Sequence, residues 1–169
     1  MIHEKTAALL NEQINRELYS AYLYWDMSHY FEFNGLDGFA NWYMVQAQEE
    51  RDHALILYRY LVDNNINVEL MDIEQPNRQY NSILDVLNTA LHHEKYITES
   101  IEHIYTEAFK QRDLRTMEFL NWFIKEQTEE ETNANNMISK MENFGNDSQG
   151  LYLLNQEFAK RQYKKPDFE

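Results

Sequence analysis

Apolar residues recur along the chain in steps of three and four, the spacing of one buried face of a helix. The pattern predicts five helices in 169 residues. The first runs from about Thr6 to Phe33 and stops at Asn34-Gly35, a common C-terminal punctuation. The second starts near Asp37, read as its N-cap, and ends near Asn64-Asn65. The third opens on Ser82-Ile83-Leu84-Asp85, which has the form of a capping box, and ends near Gln111. The fourth starts near Asp113 and ends at Phe144-Gly145-Asn146, and a short fifth runs from about Asp147 to Tyr163, before Pro166. Short links near Gly35 and Arg112 make two antiparallel hairpins. The polar connection from about Ile66 to Asn81, carrying Pro76 and Asn77, is long enough to cross the length of a helix. The expected fold class is all-α, a four-helix bundle with one long crossover and a short fifth C-terminal helix, as a single domain over residues 1–169.

The informative positions are those where the apolar stripes break. On the third helix Ile83, Leu87, Ala90, Glu94, Ile97, Ile101, Ile104 and Ala108 share a face, with Glu94 in the middle. On the fourth, Leu120, Phe123, Gln127, Glu130, Ala134, Met137, Met141 and Phe144 do, interrupted by Gln127 and Glu130. The first helix has Ile14, Glu17, Ala21, Tyr24, Ser28 and Phe31 on one face; the second has Phe39, Tyr43, Gln46, Glu50, His53, Leu57 and Tyr60. Each helix thus places acid or histidine in its buried stripe at about half its length, so the groups meet at one level of the bundle.

A lone buried carboxylate is very unfavourable, and several together raise one another's pKa. Buried ion pairs would be the bland solution, but no Lys or Arg lies in any of the four stripes. A bound divalent cation is the simplest compensation. Two cations fit better than one, because Glu50 and His53 are spaced i, i+3 and point the same way. Glu17, Glu50, His53, Glu94 and Glu130 approach the carboxylate-bridged di-iron pattern built from Glu and Glu-x-x-His helices. Oxygen-rich ligands with one imidazole suit iron, and also admit zinc or manganese.

Composition narrows the rest. Four glycines and two prolines are too few for an all-β chain of many short strands. The formal net charge of −14 argues against nucleic acid and for attraction of cations. The absence of cysteine excludes disulfides, thiolate zinc sites and cysteine-held iron centres. Neither a signal-peptide run nor a membrane-length apolar segment is seen, so no membrane partner is expected and the location expected is the cytoplasm.

Over essentially the whole chain these residues resemble the prokaryotic, bacterial-type non-haem ferritins. The matching elements are Asn11-Glu12-Gln13-Ile14-Asn15 with Glu17, Glu49-Glu50-Arg51-Asp52-His53, His93-Glu94, Phe119-Leu120-Asn121-Trp122-Phe123, Glu126-Gln127-x-Glu129-Glu130-Glu131 and Gly150-Leu151-Tyr152. The resemblance implies a ferritin-like bundle that stores iron and has ferroxidase activity. Fe²⁺ would be oxidised to Fe³⁺ by O₂ or H₂O₂ and kept as an oxo-hydroxide mineral inside a homo-oligomeric shell of twenty-four subunits, a 24-mer. It implies that Glu17 and His53 hold the first iron, Glu50 bridges, Glu94 and Glu130 hold the second, and Gln127 orients oxygen or water. It also implies a third iron at Glu49, Glu126, Glu129 and Glu130, where the bland reading is a solvated acidic face. Tyr24 either hydrogen-bonds the centre, donates an electron or only packs, and Trp122 is placed in the same way. No haem is expected: where bacterioferritins carry a haem-binding methionine between the bridging Glu and its His, this chain has Asp52, and their fourth-helix Glu-x-x-His is replaced by Gln127-x-x-Glu130. His3, His29, His92, His93 and His103 lack paired ligand spacing and read as surface or packing residues. The acidic pore lining that ferritins often have near the start of the fourth helix is replaced by Met117 and Leu120, with Glu118 and Asp113 nearby. The competing functions are a di-iron oxidase or peroxidase without storage and a cage that only nucleates mineral.

Overall fold

The computed structural model describes residues 2–76 and 79–168. Asn77, named above in the crossover, lies outside the described residues. The helices are α1 Glu4–Phe33, α2 Asp37–Asp63, α3 Ile83–Lys110, α4 Leu114–Phe144 and α5 Ser148–Phe158. No strand occurs among the described residues.

Local chemistry sets the boundaries. Gly35 ends α1 with φ +72°, the left-handed conformation that glycine adopts without cost. The chain then turns back so that the Leu36 amide donates to the Phe31 carbonyl at 2.9 Å. Leu36, rather than Asp37, is the N-cap of α2 and makes no side-chain cap bond. Asp37 is instead the first helical residue, where its charge faces the positive end of the helix. Ser82 caps α3, its Oγ accepting from the Asp85 amide at 3.1 Å. The return arm of this box reaches one residue further out, with Asp85 Oδ2 accepting from the Asn81 amide at 2.9 Å. Asp113 caps α4 through the Thr116 amide at 3.1 Å. α5 stops at Phe158, short of the expected Tyr163, because Asn41 captures the carbonyls that follow: its Nδ2 donates to the Arg161 carbonyl at 3.0 Å.

α1 packs along α2 and α3 along α4, with a further α1–α3 contact. The crossover runs along α1 from one end to the other. Asn11 exchanges two hydrogen bonds with the Glu69 backbone, Asn15 Nδ2 donates to the Asp72 carbonyl, and Tyr80 donates to Asp26. α3 therefore starts at the end where α2 starts, and the two are parallel.

Two apolar clusters fill the bundle, one at each end. One gathers Leu23, Met27, Phe31, Phe39, Tyr43, Leu87 and Met141, closed by Leu154 and Phe158 of α5. The other gathers Leu10, Ile14, Leu57, Leu61, Ile97, Ile104, Leu120 and Phe123. Leu120 is thus a core residue and lines no pore. Between the clusters lies the polar layer.

Candidate metal centre

Glu17 on α1, Glu50 and His53 on α2, Glu94 on α3 and Glu130 on α4 are all buried, none more than 4% exposed. They form two groups whose ligand atoms lie within 4.8 Å of one another: Glu17, Glu50 and His53, and Glu50, Glu94 and Glu130. Glu50 belongs to both. That is the arrangement a bridging carboxylate needs, and it follows from one acid per helix at equal depth plus one extra ligand a turn later on α2.

The hydrogen bonds leave gaps that fit cations. His53 Nδ1 lies 3.2 Å from Glu50 Oε2, while His53 Nε2 and Glu17 Oε2 are buried with no hydrogen-bond partner. A buried polar atom without a partner costs free energy, so two at one spot call for a ligand. Oxygen donors with one imidazole are the donor set for iron, and Glu17 Oε1 is already positioned by Gln13 Nε2 at 2.8 Å.

Gln127 and Tyr24 reach the second group. Gln127 Nε2 donates to Glu94 Oε2 at 3.1 Å and to the Glu94 carbonyl at 3.2 Å. The Tyr24 hydroxyl, wholly buried, donates to Glu94 Oε1. Trp122 stands edge-on to the His53 ring, centroids 5.4 Å apart. His93 is buried by packing, bonded to Ser20 at 2.7 Å and set among Tyr19, Tyr24 and Tyr96.

The other acids gather less closely. Glu49 and Glu126 are half-buried and Glu129 is exposed. They line one cavity of about 590 Å³ with Arg161, Lys160, Lys164 and Lys165. They form no one-ion group among the described residues. Glu49 is instead ion-paired to Arg161, its Oε2 2.5 Å from the guanidinium.

A family model described as a ferritin-like domain matches residues 7–144. A bacterial non-heme ferritin from Campylobacter jejuni is 38% identical over 156 residues, covering 92% of this chain and 93% of the relative. The chain belongs to the ferritin family. Another bacterial non-heme ferritin, from Staphylococcus epidermidis, is 36% identical over 163 residues, covering 96% of this chain and 98% of its own. An open-pore ferritin from the hyperthermophilic archaeon Archaeoglobus fulgidus superposes with a TM-score of 0.94 at 38% identity, over 96% of this chain and 100% of that one.

In this ferritin subunit, burial and then the Glu50 charge push Glu17 and Glu94 up to about 8. Burial, with Glu94 and Glu50, holds Glu130 well above the usual carboxylate range. Glu50 goes the other way. Burial alone would raise it, but the His53 charge and hydrogen bond hold it low. Burial opposes a charged His53, yet Glu50 beside it wins and pushes it up to about 10. At neutral pH the layer without cations therefore holds the Glu50–His53 ion pair beside Glu17 and Glu94 in largely neutral form.

The sequence reading gave no role to two kinds of supporting residue. Gln13 and Gln46 sit four residues before Glu17 and Glu50, each donating from Nε2 into its acid, at 2.8 and 2.9 Å. Their shared spacing was the signal that could have found them. Arg161, beyond the last helix, had no periodic signal at all.

Proposed function

We infer that the chain is a single ferritin-like domain over residues 1–169 and that it stores iron with ferroxidase activity. Fe²⁺ is its substrate. Glu17 and His53 hold one ion, Glu94 and Glu130 the other, and Glu50 spans both. The observation that carries this reading is the pair of buried groups sharing Glu50, with Glu17 Oε2 and His53 Nε2 left without partners.

Each Fe²⁺ gives up one electron. Two irons side by side deliver the pair that takes O₂ to H₂O₂, or H₂O₂ to water, with two protons consumed in either case. Gln127 orients the oxidant or water beside Glu94, and Tyr24 fixes Glu94 by its hydroxyl. Trp122 backs His53. A third iron at Glu49, Glu126, Glu129 and Glu130 would take Glu49 from Arg161. Asp52 in the place of a ligating methionine speaks against haem.

The subunits assemble as a homo-oligomer of the ferritin type, for which we propose the 24-mer shell with ferric oxo-hydroxide inside. α5 suits this role: Leu154 and Phe158 pack on the subunit itself, while Tyr152 and Leu153 stay exposed, 62% and 59%, for a neighbour. No described helix is long and apolar enough to cross a membrane. The acidic surface disfavours nucleic acid, and we propose the cytoplasm as the location.

Aerobic Fe²⁺ addition followed by size-exclusion chromatography with iron analysis tests the reading. Iron is expected to elute as ferric mineral with a shell. Oxidation with the metal precipitating, or with protein eluting at subunit size, would favour a di-iron oxidase or peroxidase without storage.

A further inference from the structure

We propose that Arg161, carried by the segment after α5, is a positioning residue for the iron centre, acting through Gln46. The proposal rests on the two-ion reading above and adds to it a residue from outside the four helices that carry the ligands.

Gln46 is buried on α2, one turn before Glu50. Its Nε2 donates to two acids at once, Glu50 Oε1 at 2.9 Å and Glu130 Oε2 at 2.7 Å. Its Oε1 accepts from Arg161 Nη1 at 2.8 Å. A guanidinium has only donors, so this contact decides which end of the amide is oxygen. Take Arg161 away and two outcomes remain. Either the Gln46 oxygen stays buried without its donor, or the amide turns and aims its oxygen at two carboxylates. Both are unfavourable.

Arg161 is itself fixed from several sides. Nη2 pairs with Glu49 at 2.5 Å, Nη1 donates to the Trp42 carbonyl at 3.3 Å, and the guanidinium carbon lies 3.9 Å from the centre of the Trp42 ring. This is a planar fork stacked on an aromatic face, a role lysine does not reproduce. The docking of α5 sets its position. Asn155 Oδ1 accepts from the Gly38 and Phe39 amides at 2.8 and 3.2 Å, and a Cβ on Gly38 would lie 1.7 Å from the Asn155 carbonyl oxygen. The helices meet this closely only because residue 38 is glycine.

Gln13 offers an internal comparison. It donates to Glu17 in the same way, but its oxygen accepts from Ser100 Oγ at 2.5 Å, inside the bundle. One amide is oriented by the bundle, the other by the C-terminal segment. Gln46 reaches Glu50, which belongs to both ion groups, and Glu130, which belongs only to the second, so the Arg161–Gln46 arm acts on both cations and more strongly on the second.

The test is an anaerobic Co²⁺ titration of the full-length protein, comparing wild type, Arg161→Gln, Gln46→Leu and the double variant, with sizing and circular dichroism on each. Wild type is expected to bind two Co²⁺ per subunit. Each single variant should weaken the second step by about tenfold or more and the first less, through Glu50 alone, as loss of a partner behind a ligand does. The double variant should be no worse than the worse single one, because both remove the same arm. A merely structural role would loosen both steps alike. Equal weakening of both steps, additive losses, or wild-type affinity in Arg161→Gln would overturn the proposal. If Arg161→Gln does not assemble, Arg161→Lys keeps the charge beside Glu49 and should still weaken the second step several-fold; wild-type affinity there would overturn it equally. Wild type binding fewer than two Co²⁺ would sink the two-ion reading itself, a separate outcome.

Discussion

Loading the metal-free protein with Zn²⁺ should expel protons, and the raised groups set a least number. Glu17 and Glu94, pushed up to about 8, are neutral at pH 6.5, and His53, pushed up to about 10, is charged, while burial holds Glu130 well above the usual carboxylate range. Glu50 is already ionised. Two Zn²⁺ need four carboxylates and a neutral imidazole. One proton each must leave Glu17, Glu94 and His53, at least about three per subunit, since metal ligands bind deprotonated. The loaded layer is neutral, four negative charges against four positive. At pH 9, Glu17 and Glu94 have mostly ionised beforehand, so release should fall by about two. Isothermal titration calorimetry in buffers of different ionisation heat counts these protons. Release of one or none at pH 6.5 would mean the acids are ionised in the empty fold, and the charge-balance reasoning would be wrong.

Two further outcomes follow from the same geometry. Glu50→Ala should impair both cations, because Glu50 serves both groups, whereas His53→Ala should mainly weaken the first; two tight Fe²⁺ per subunit retained in Glu50→Ala, by anaerobic titration, would refute the ligand assignment. The melting temperature of the metal-free protein should fall as pH rises. Glu17, Glu94, Glu130 and His53 all sit above their unfolded values of 4.5 and 6.5, so the stability they give is full at low pH and lost as pH rises, past about 8 for Glu17 and Glu94 and about 10 for the histidine. Glu50, held low, adds a loss only at acid pH. Excess Zn²⁺ should lift the curve most at the alkaline end. A metal-free melting temperature that climbs from pH 5 to 8 would contradict the raised acids.

The sequence made the metal layer legible because acid inside an apolar stripe breaks the rule that stripe otherwise obeys. Glu17, Glu50, His53, Glu94 and Glu130 each stood in a stripe otherwise carried mainly by aliphatic and aromatic residues, and each is buried. The crossover was legible from its length. What a stripe cannot say is how an amide is turned. Gln46 lay on the expected face, but its bonds to Glu50 and Glu130 depend on Arg161, and Arg161 is set by where α5 stops. Periodicity carried α5 on to Tyr163; the chain leaves the helix at Phe158 because of Asn41, more than a hundred residues earlier. Phe144 was assigned to the buried face of α4 but is 61% exposed, at the helix end beyond the core.

The charge balance also bears on why iron passes through rather than stays. With two Fe²⁺ bound, the layer is neutral, and apolar clusters close it at both ends. Oxidation of both ions adds two positive charges to this buried layer. Uncompensated buried charge is strongly unfavourable. The ferric pair thus needs anionic oxygen, from the reduced oxidant or deprotonated water, to balance it, and it leaves with that oxygen as oxo-hydroxide. Turnover should be repeated: successive anaerobically prepared aliquots of two Fe²⁺ per subunit, each followed by air, should be oxidised at similar rates. Zn²⁺ keeps the layer neutral and is not oxidised, so preloading with it should block the centre lastingly. Stopped-flow absorbance of ferric formation distinguishes the cases. If the first aliquot is oxidised and later ones are not, ferric iron is resident in the centre, and the argument from buried charge fails.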